Sequence, residues 1–226
     1  YVDHVLDLME YHWDMPAASV VLSITGGAQN FAISPQLQFA FSRGLAKAAH
    51  ATNAWVLSGG TDSGVMKLVG RALAEYNAKV PCIGITTWGI VHGREHLTGV
   101  RDLDKNVLLE RMTQNSNVGA NLERNHTHFL FVDNELEGKM AWGGEIAFRF
   151  ALEKVYCQKK RVPRVLLVVS GGPKTLESVY EALRASCPVV LVADSGGVAA
   201  MLHQFLQSAR DDRSPHYGHG HVPSEF

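Results

Sequence analysis

From Val20 onward, short runs of β-branched and other apolar residues alternate with longer segments of helical periodicity. This alternation is typical of βαβ units, in which parallel strands are buried beneath helices on both faces of a sheet. The predicted strands are Val20–Ile24, Ala54–Leu57, Cys82–Thr86, His128–Val132, Val165–Val169 and Val189–Val192. The pattern strongly limits the fold, because a hairpin-rich sheet would not leave a helix-length segment after each strand.

The segments between these runs carry apolar residues at helical spacing. The predicted helices are Gln36–His50, Val65–Tyr76, Glu145–Tyr156, Leu176–Leu183 and Val198–Leu206. Together the two patterns predict an α/β fold: a doubly wound, mostly parallel, Rossmann-like sheet of about six strands with helices on both faces.

Composition limits the classes of function. The chain has 226 residues, of which 46% are hydrophobic and 19% charged, enough apolar material for a full core. A net charge of -1 predicts no general attraction to nucleic acid, so any anionic ligand must be held by local groups. The cysteines Cys82, Cys157 and Cys187 form no CxxC pair, which indicates neither a disulfide framework nor zinc and fits a reducing compartment. No apolar run reaches the roughly 20 residues that span a bilayer, so we predict no membrane insertion by this segment.

Three segments depart from the βαβ rhythm. Residues 1–16 read as a helical segment that either packs on the domain or continues a preceding one, and residues 17–207 form the predicted nucleotide-binding domain. Within it, residues 88–125 are polar and long, which predicts a mobile insertion. Residues 208–226 are rich in Gly, Pro and His and predict a disordered tail or linker.

Four predicted strands run directly into a hydroxyl residue and two glycines. The loops are Thr25-Gly26-Gly27, Ser58-Gly59-Gly60, Ser170-Gly171-Gly172 and Ser195-Gly196-Gly197. Glycine lets the backbone approach a ligand closely, and the following helix presents unpaired N–H groups to a phosphate. The alternative is that each pair only makes a tight turn. Since parallel strands bring all four loops to one edge, we expect a site there for a phosphate-bearing nucleotide.

Neither a Walker A motif nor GxGxxG is present, which disfavours ATP hydrolysis and ordinary NAD-linked hydride transfer.

Several longer motifs resemble the N-terminal cytosolic region of melastatin-type TRP cation channels. They include Thr25-Gly26-Gly27-Ala28-Gln29-Asn30-Phe31, Gly44 to Ala49, Thr52 to Gly60, Gly64 to Lys67, Ile83 to Ile85 with Trp88-Gly89, Asn125 to Phe129, Gly144 to Ile146, Leu152 to Lys154 and Gly171-Gly172-Pro173. The resemblance covers roughly Val20 to Leu206. It implies the SLOG nucleotide-sensing fold, with ADP-ribose in the cleft between the glycine loops in the ADP-ribose-gated members.

The resemblance also implies a place and a set of partners. It implies a sensor domain on the cytoplasmic side of a calcium-permeable homotetrameric channel, with the plasma membrane as the expected location. The implied partners are a small nucleotide ligand and the remaining channel segments. By position, Thr25, Gly26, Gly27 and Asn30 would line the phosphates and a ribose, and Gly171, Gly172, Pro173 and Thr175 would form the opposite wall. The predicted contacts further include Gln29, Gly59, Gly60, Trp88, Lys174, Gly196 and Gly197.

Two side chains are predicted to determine the specificity for ADP-ribose. Trp142 falls where the ADP-ribose-gated members have a tyrosine beside the base, and Arg149 falls on their phosphate-pairing arginine. The alternatives are that Trp142 is a core aromatic and that Arg149 pairs with Glu145 on a solvated face. Gly197 stands where those members place a second arginine, which weakens binding or moves the phosphate charge to Lys174.

Catalysis is the competing class of function. Ser170 to Glu177 is similar to the PGGxGTxxE signature of LOG-type phosphoribohydrolases, but Ser170 and Lys174 break the pattern. Glu177 is the catalytic candidate under that alternative; otherwise it favours the positive end of its helix. We expect a non-enzyme without a cofactor, and a third alternative is an assembly module that binds no nucleotide.

We also expect no metal site, since the pair His126 and His128 lacks a recognisable acidic partner in the sequence.

Overall fold

The computed structural model describes residues 1–98, 104–113 and 119–211. Six strands form one sheet in the order β4-β3-β2-β1-β5-β6, and every neighbouring pair is parallel. The strands are β1 Val20–Gly26, β2 Ala54–Ser58, β3 Cys82–Thr87, β4 His128–Val132, β5 Arg164–Val169 and β6 Val189–Val192. The predicted α/β, doubly wound fold is therefore confirmed, with a sheet that is wholly parallel.

Seven α-helices are present among the described residues. They are α1 Val2–Asp7, α2 Pro35–Ala51, α3 Gly64–Glu75, α4 Lys105–Thr113, α5 Ile146–Lys160, α6 Pro173–Arg184 and α7 Gly197–Asp211. The starts of α2 and α6 follow a local rule, because each carries proline in its first turn, where no intrahelical N–H bond is lost. Ser34 also caps α2 by accepting a hydrogen bond from the Leu37 N–H at 3.1 Å.

Apolar cores lie on both faces of the sheet. On one face, α2 and α3 pack on β1 and β2 through residues such as Phe41, Leu45 and Val65. On the other face, α1 and α5 pack around Trp55, whose ring stacks on Tyr156 at 4.1 Å between centroids. A third cluster joins α6 and α7 to β5. Burial on both faces explains why the strands read as nearly continuous apolar runs and not as alternating ones.

The strand order reverses at β1, and this reversal places the site. From β1 the chain proceeds through β2 and β3 to β4 at one edge, and then returns to place β5 on the other side of β1. The loops that follow β1 and β5 therefore lead to helices on opposite faces of the sheet. A crevice opens between such loops at the carboxyl ends of the strands.

The described parts of the predicted insertion, residues 88–125, are folded against the sheet. They contain the 3₁₀ turns Trp88–Ile90 and Arg94–Leu97 and the helix α4, and an isolated β-bridge joins Val91 to Ala120. Val91, Met112 and Leu122 form a small apolar cluster that extends to β4. These three buried side chains attach the segment to the sheet, although most residues of the segment are polar. Residues 99–103 and 114–118 lie outside the described residues.

The two ends of the chain are also partly described. The N-terminal segment packs on α5, where Lys159 and Lys160 form ion pairs with Asp3 and Glu10. At the other end, α7 continues to Asp211, past the boundary predicted at residue 208. The remainder of the predicted tail, residues 212–226, lies outside the described residues. None of the helices described is both long enough and apolar enough to cross a membrane.

Candidate functional site

A cleft crosses the carboxyl edge of β1, β2 and β3 and has two adjoining chambers. The inner chamber has a volume of about 140 Å³ and the outer chamber one of about 800 Å³. Ala28 and Trp142 line both chambers, so the two chambers adjoin at these residues. The cleft lies at the point where the strand order reverses, which is the expected ligand position in an open parallel sheet.

The inner chamber brings together several residues that the sequence assigned to a ligand. These are Thr25, Gly26, Gly59, Trp142, Arg149, Lys174 and Thr175. Their backbones come from the ends of β1 and β2, the segment before α5, α5 itself and the first turn of α6. Arg149 and Lys174 give this chamber two cations, and Glu145 adds a carboxylate that accepts a hydrogen bond from Thr87 at 2.8 Å.

The first turn of α6 borders the inner chamber without a side-chain cap. Gly172 occupies the N-cap position with φ -126°, and no side chain bonds to the helix start. The Thr175 hydroxyl donates to the Gly26 carbonyl at 3.2 Å, which fixes this turn against the end of β1. Pro173 has no N–H, and the Thr175 N–H donates to the Gly172 carbonyl at 2.9 Å, so this turn offers an anion the Lys174 N–H and the partial positive charge of the helix start.

The outer chamber contains the other predicted contacts that reach the cleft. Gln29 and Asn30 line it on one side, and Trp142 lines it on the other with 39% of its surface exposed. Asn30 is already engaged in part, because its Oδ1 accepts a hydrogen bond from the Gly64 N–H at 3.0 Å. Sequence reasoning missed Asp62, Ser63, Asn121 and Lys139 in this chamber. Asp62 and Ser63 lie two and three residues after Gly60, so their closeness to this loop in the sequence could have indicated them. No sequence signal indicated Asn121 or Lys139.

Gly196 and Gly197 do not line the cleft. Gly197 has φ +55°, and a Cβ there would lie 2.5 Å from the Gly171 carbonyl oxygen. The N–H groups of Val198 and Ala199 at the start of α7 donate to the carbonyls of Gly171 and Ser170. The loop before α7 therefore packs on the loop after β5, and its donors are used within the protein. This packing favours glycine at position 197, for which the resemblance implied an arginine in the ADP-ribose-gated members.

The remaining predicted contacts have structural partners outside the cleft. Trp88 packs edge-on against Phe131, and the Arg94 guanidinium lies over its ring at 5.8 Å. Gly60 has φ +72°, and a Cβ there would lie 2.7 Å from Gly84 on the neighbouring strand. The other predicted residues that do not line the cleft are Gly27, Gly171, Gly172 and Pro173.

Arg149 is buried and pairs with a residue that the sequence did not suggest. Its Nε lies 3.5 Å from Oε1 of Glu153, one helical turn further along α5, and only 8% of the residue is exposed. The alternative partner, Glu145, is instead bound by Thr87. Glu153 also accepts hydrogen bonds from Ser23 at 2.6 Å and from Arg164 at 3.3 Å. Arg149 therefore belongs to a buried charge cluster at the back of the cleft.

A second buried polar network lies beneath the Gly59-Gly60 loop. The His126 Nε2 lies 2.7 Å from the Ser58 hydroxyl, and its Nδ1 lies 2.8 Å from the Glu123 carboxylate. Burial lowers the pKa of His126, but the acidic groups of Cys82 and Glu123 outweigh burial and raise the pKa to about 10. The acidic partner that we did not recognise is Glu123, three residues before His126. Its carboxylate occupies the space that a Cβ on Gly70 would fill.

This network has the residue types of a hydrolytic triad, but its side chains are not accessible to a substrate. Ser58 and His126 have no exposed surface, and Glu123 is only 2% exposed. The role of the network is therefore structural, because it holds residues 119–126 against β2. His128 points elsewhere and stacks on Trp13 at 5.2 Å. The described residues contain no group of three or more His, Cys, Asp or Glu arranged to hold a metal ion.

Glu177, the catalytic candidate of the competing hypothesis, lies outside both chambers of the cleft. Its two carboxylate oxygens accept hydrogen bonds from Lys174 at 3.1 and 2.9 Å, and 59% of its side chain is exposed. A carboxylate in this position does not face a ribose bound between the glycine loops.

Comparison with known proteins places most of the chain in one family. The family model described as "SLOG in TRPM" matches residues 1–218. Transient receptor potential cation channel subfamily M member-like 2 of Nematostella vectensis is 37% identical over 214 residues, which are 88% of this chain and 14% of the relative. Member 2 of the same subfamily from Rattus norvegicus is 36% identical over 216 residues, again 88% of this chain and 14% of the relative.

A similar level of identity extends to other members of the subfamily. Member 1 from Mus musculus is 36% identical over 222 residues, which are 93% of this chain and 13% of the relative. The chain thus spans about one seventh of the length of the relatives it matches. These relatives are named as cation channels and not as enzymes, which agrees with the expectation of a non-enzyme. With its six-stranded parallel sheet, the chain belongs to the SLOG domains of the TRPM channel family.

Proposed function

We propose that this domain binds ADP-ribose, or a closely related adenine nucleotide, in the two-chamber cleft and thereby regulates the gating of a calcium-permeable TRPM channel. The domain would act on the cytoplasmic side of a plasma-membrane homotetramer, in contact with the remaining channel segments. The observation that carries the proposal is the inner chamber, where Arg149, Lys174 and the uncapped start of α6 converge.

The charges of the inner chamber suit a diphosphate. Arg149 offers a planar guanidinium that can bind phosphate oxygens through two parallel hydrogen bonds. Lys174 adds a second cation on an exposed side chain that forms an ion pair with Glu177. Partial burial strengthens these interactions, because charges in a poorly solvated chamber are screened less than charges at the surface.

The outer chamber suits the nucleoside portions of the ligand. Trp142 stands between the chambers and presents a flat, half-exposed ring against which a base can stack. Gln29, Asn121 and Lys139 add hydrogen-bonding groups within reach of ribose hydroxyls. The two adjoining chambers fit an elongated ligand with a charged centre.

A thermal unfolding experiment tests the proposal. Addition of ADP-ribose should raise the unfolding temperature in proportion to the logarithm of its concentration, since a ligand at 100 times its Kd stabilises by about 2.7 kcal/mol. Adenosine, which lacks the phosphates, serves as the control and should give little shift. An unfolding temperature that does not change at millimolar ADP-ribose contradicts the proposal.

An assembly role is the second candidate, and one observation favours it. The helix α6 exposes Leu176, Tyr180 and Leu183, and α7 exposes Met201, Phe205 and Leu206. Exposed apolar groups of this kind are frequent at protein interfaces. This role needs no nucleotide, so an unchanged unfolding temperature with ADP-ribose would favour it. The LOG-type enzyme gains no support from the position of Glu177.

A further inference from the structure

A second cavity lies between α5 and α6, behind the cleft and on the sheet face that these helices cover. Its volume is about 460 Å³, and Ser23 of β1 and Leu166 of β5, which are register partners, form its floor. Ile146 and Phe150 contribute apolar surface from α5, and Ala182 contributes it from α6. The cavity is therefore large enough for a small organic molecule and mostly apolar.

The cavity also contains the buried charge cluster. Arg149, Glu153 and Arg164 all line it, and the side chains of both arginines are less than one tenth exposed. Two guanidinium groups thus share a single carboxylate, which leaves one positive charge without a counterion in the cluster. No fully buried side-chain nitrogen of the described residues lacks a hydrogen-bond partner, so the unbonded guanidinium nitrogens keep contact with the open cavity. An anionic group in the cavity would balance the excess positive charge there.

The arginines retain hydrogen-bond donors for such a group. Arg149 makes an ion pair through Nε but donates no hydrogen bond to the described residues. Arg164 uses Nη1 on Glu153, and its guanidinium lies 4.3 Å from the centre of the Phe150 ring. A guanidinium carries five N–H donors, so donors remain on both side chains. Phe150 places an aromatic surface directly beside them.

The mouth of the cavity is formed by exposed residues. Ala147 of α5 lies on one side, and Glu177 and Glu181 of α6 lie on the other. Lys174 neutralises Glu177, so Glu181 is the acidic group that an entering anion must pass. Arg149 lines both this cavity and the inner chamber of the cleft, which means that the two spaces share one cation.

We propose that the cavity between α5 and α6 is a second binding site, for a small organic anion that carries its negative group beside an aromatic body. The anionic group meets Arg149 and Arg164, and the aromatic body lies against Phe150. Because Arg149 serves both sites, an anion bound in the cavity weakens the binding of an anion in the cleft.

The test uses 1-naphthyl phosphate as the probe in a calorimetric titration of the full chain. Neutral 1-naphthol should bind at least tenfold more weakly, because it lacks the anionic group. Ala147→Trp fills the mouth and should weaken the probe at least tenfold, whereas Ala48→Trp, an equal change at an exposed position of α2, should leave affinity within twofold. Arg164→Met removes the excess positive charge and should also weaken the probe about tenfold.

The same titration separates this site from the cleft. Trp142→Ala alters the cleft alone, so it should leave the affinity for naphthyl phosphate within twofold, and Ala147→Trp should leave ADP-ribose binding unchanged. Equal affinity of the wild type and Ala147→Trp for the probe overturns the proposal. So does loss of probe binding in Trp142→Ala with retention in Ala147→Trp, or a lack of binding by the wild type at millimolar probe. The outcomes that overturn the proposal are all measured with naphthyl phosphate, so none of them depends on whether ADP-ribose binds.

Discussion

Nε of Arg149 lies 3.5 Å from Oε1 of Glu153, so the side chain assigned to the ligand's phosphates is held by a buried carboxylate one turn along α5. Glu153 is itself held by Ser23 and Arg164. The carboxylate thereby neutralises part of a buried pair of guanidiniums, and it orients the arginine toward the cleft.

Glu153→Gln should destabilise the fold strongly. The change leaves two buried guanidinium groups without a counterion, and breaking a buried ion pair in this way costs about 3 to 5 kcal/mol. Urea denaturation measures the effect. Glu75→Gln, at an exposed position of α3, is the matched control and should change the free energy of unfolding by less than about 0.5 kcal/mol. Similar values for the two variants would show that Glu153 has no such role.

Gly197→Arg should not create a second phosphate contact. Position 197 has φ +55°, and its Cβ would collide with the backbone of Gly171, so the arginine should destabilise the fold by about 2 kcal/mol. Gly172→Ala is the control, because Gly172 has φ -126° and no atom near its Cβ position. A variant that is as stable as the wild type and binds nucleotide more tightly would refute this explanation of the missing arginine.

The buried histidine predicts a dependence of stability on pH. The pKa of His126 is raised from 6.5 to about 10, so its charged form stabilises the fold fully below pH 6.5. That contribution is lost as the pH rises toward 10. The free energy of unfolding should therefore fall between these pH values, and His126→Gln should flatten the decline. His50→Gln, at an exposed position, should leave the decline unchanged; a flat profile in the wild type would contradict the prediction.

The sequence predicted the sheet more completely than the site, for a physical reason. The ends of the strands were predicted to within two residues, because β-branched runs end abruptly at glycine or polar residues. The contact of Arg164 with Glu153 depends on the pairing of β5 with β1, where Val21 and Arg164 are register partners. Residue patterns within a single segment carry no information about that pairing.

The same argument explains where the structure places the glycine loops. Each loop alone has the residues of a phosphate site, but β6 is an edge strand, and its loop packs on the loop after β5. Gly196 and Gly197 are thus kept out of the cleft by tertiary packing. The resemblance to TRPM channels singled out Trp142 and Arg149 as predicted contacts, and the pattern of strands and helices alone does not distinguish them from other residues near a helix start.

Glu177→Gln should slightly strengthen the binding of ADP-ribose. The exposed pair between Glu177 and Lys174 contributes about 0.2 to 1 kcal/mol, and its loss frees the lysine for a phosphate. Titration should therefore show a gain in affinity of about twofold, whereas Glu181→Gln should have a smaller effect. A tenfold loss of affinity in Glu177→Gln would place this carboxylate against the ligand and favour the phosphoribohydrolase, which chromatography of the products would then detect.

The most direct measurement is a calorimetric titration of ADP-ribose into the wild type and Arg149→Ala. Glu153 keeps Arg164 and Ser23 as partners in the variant, so the fold should persist. The account predicts saturable binding by the wild type and an affinity at least tenfold lower in the variant, since a charged hydrogen bond contributes about 1.5 to 3 kcal/mol. Arg184→Ala, at an exposed position of α6, should bind like the wild type. Equal affinities for the wild type and Arg149→Ala, or no heat of binding at millimolar ligand, would contradict the account.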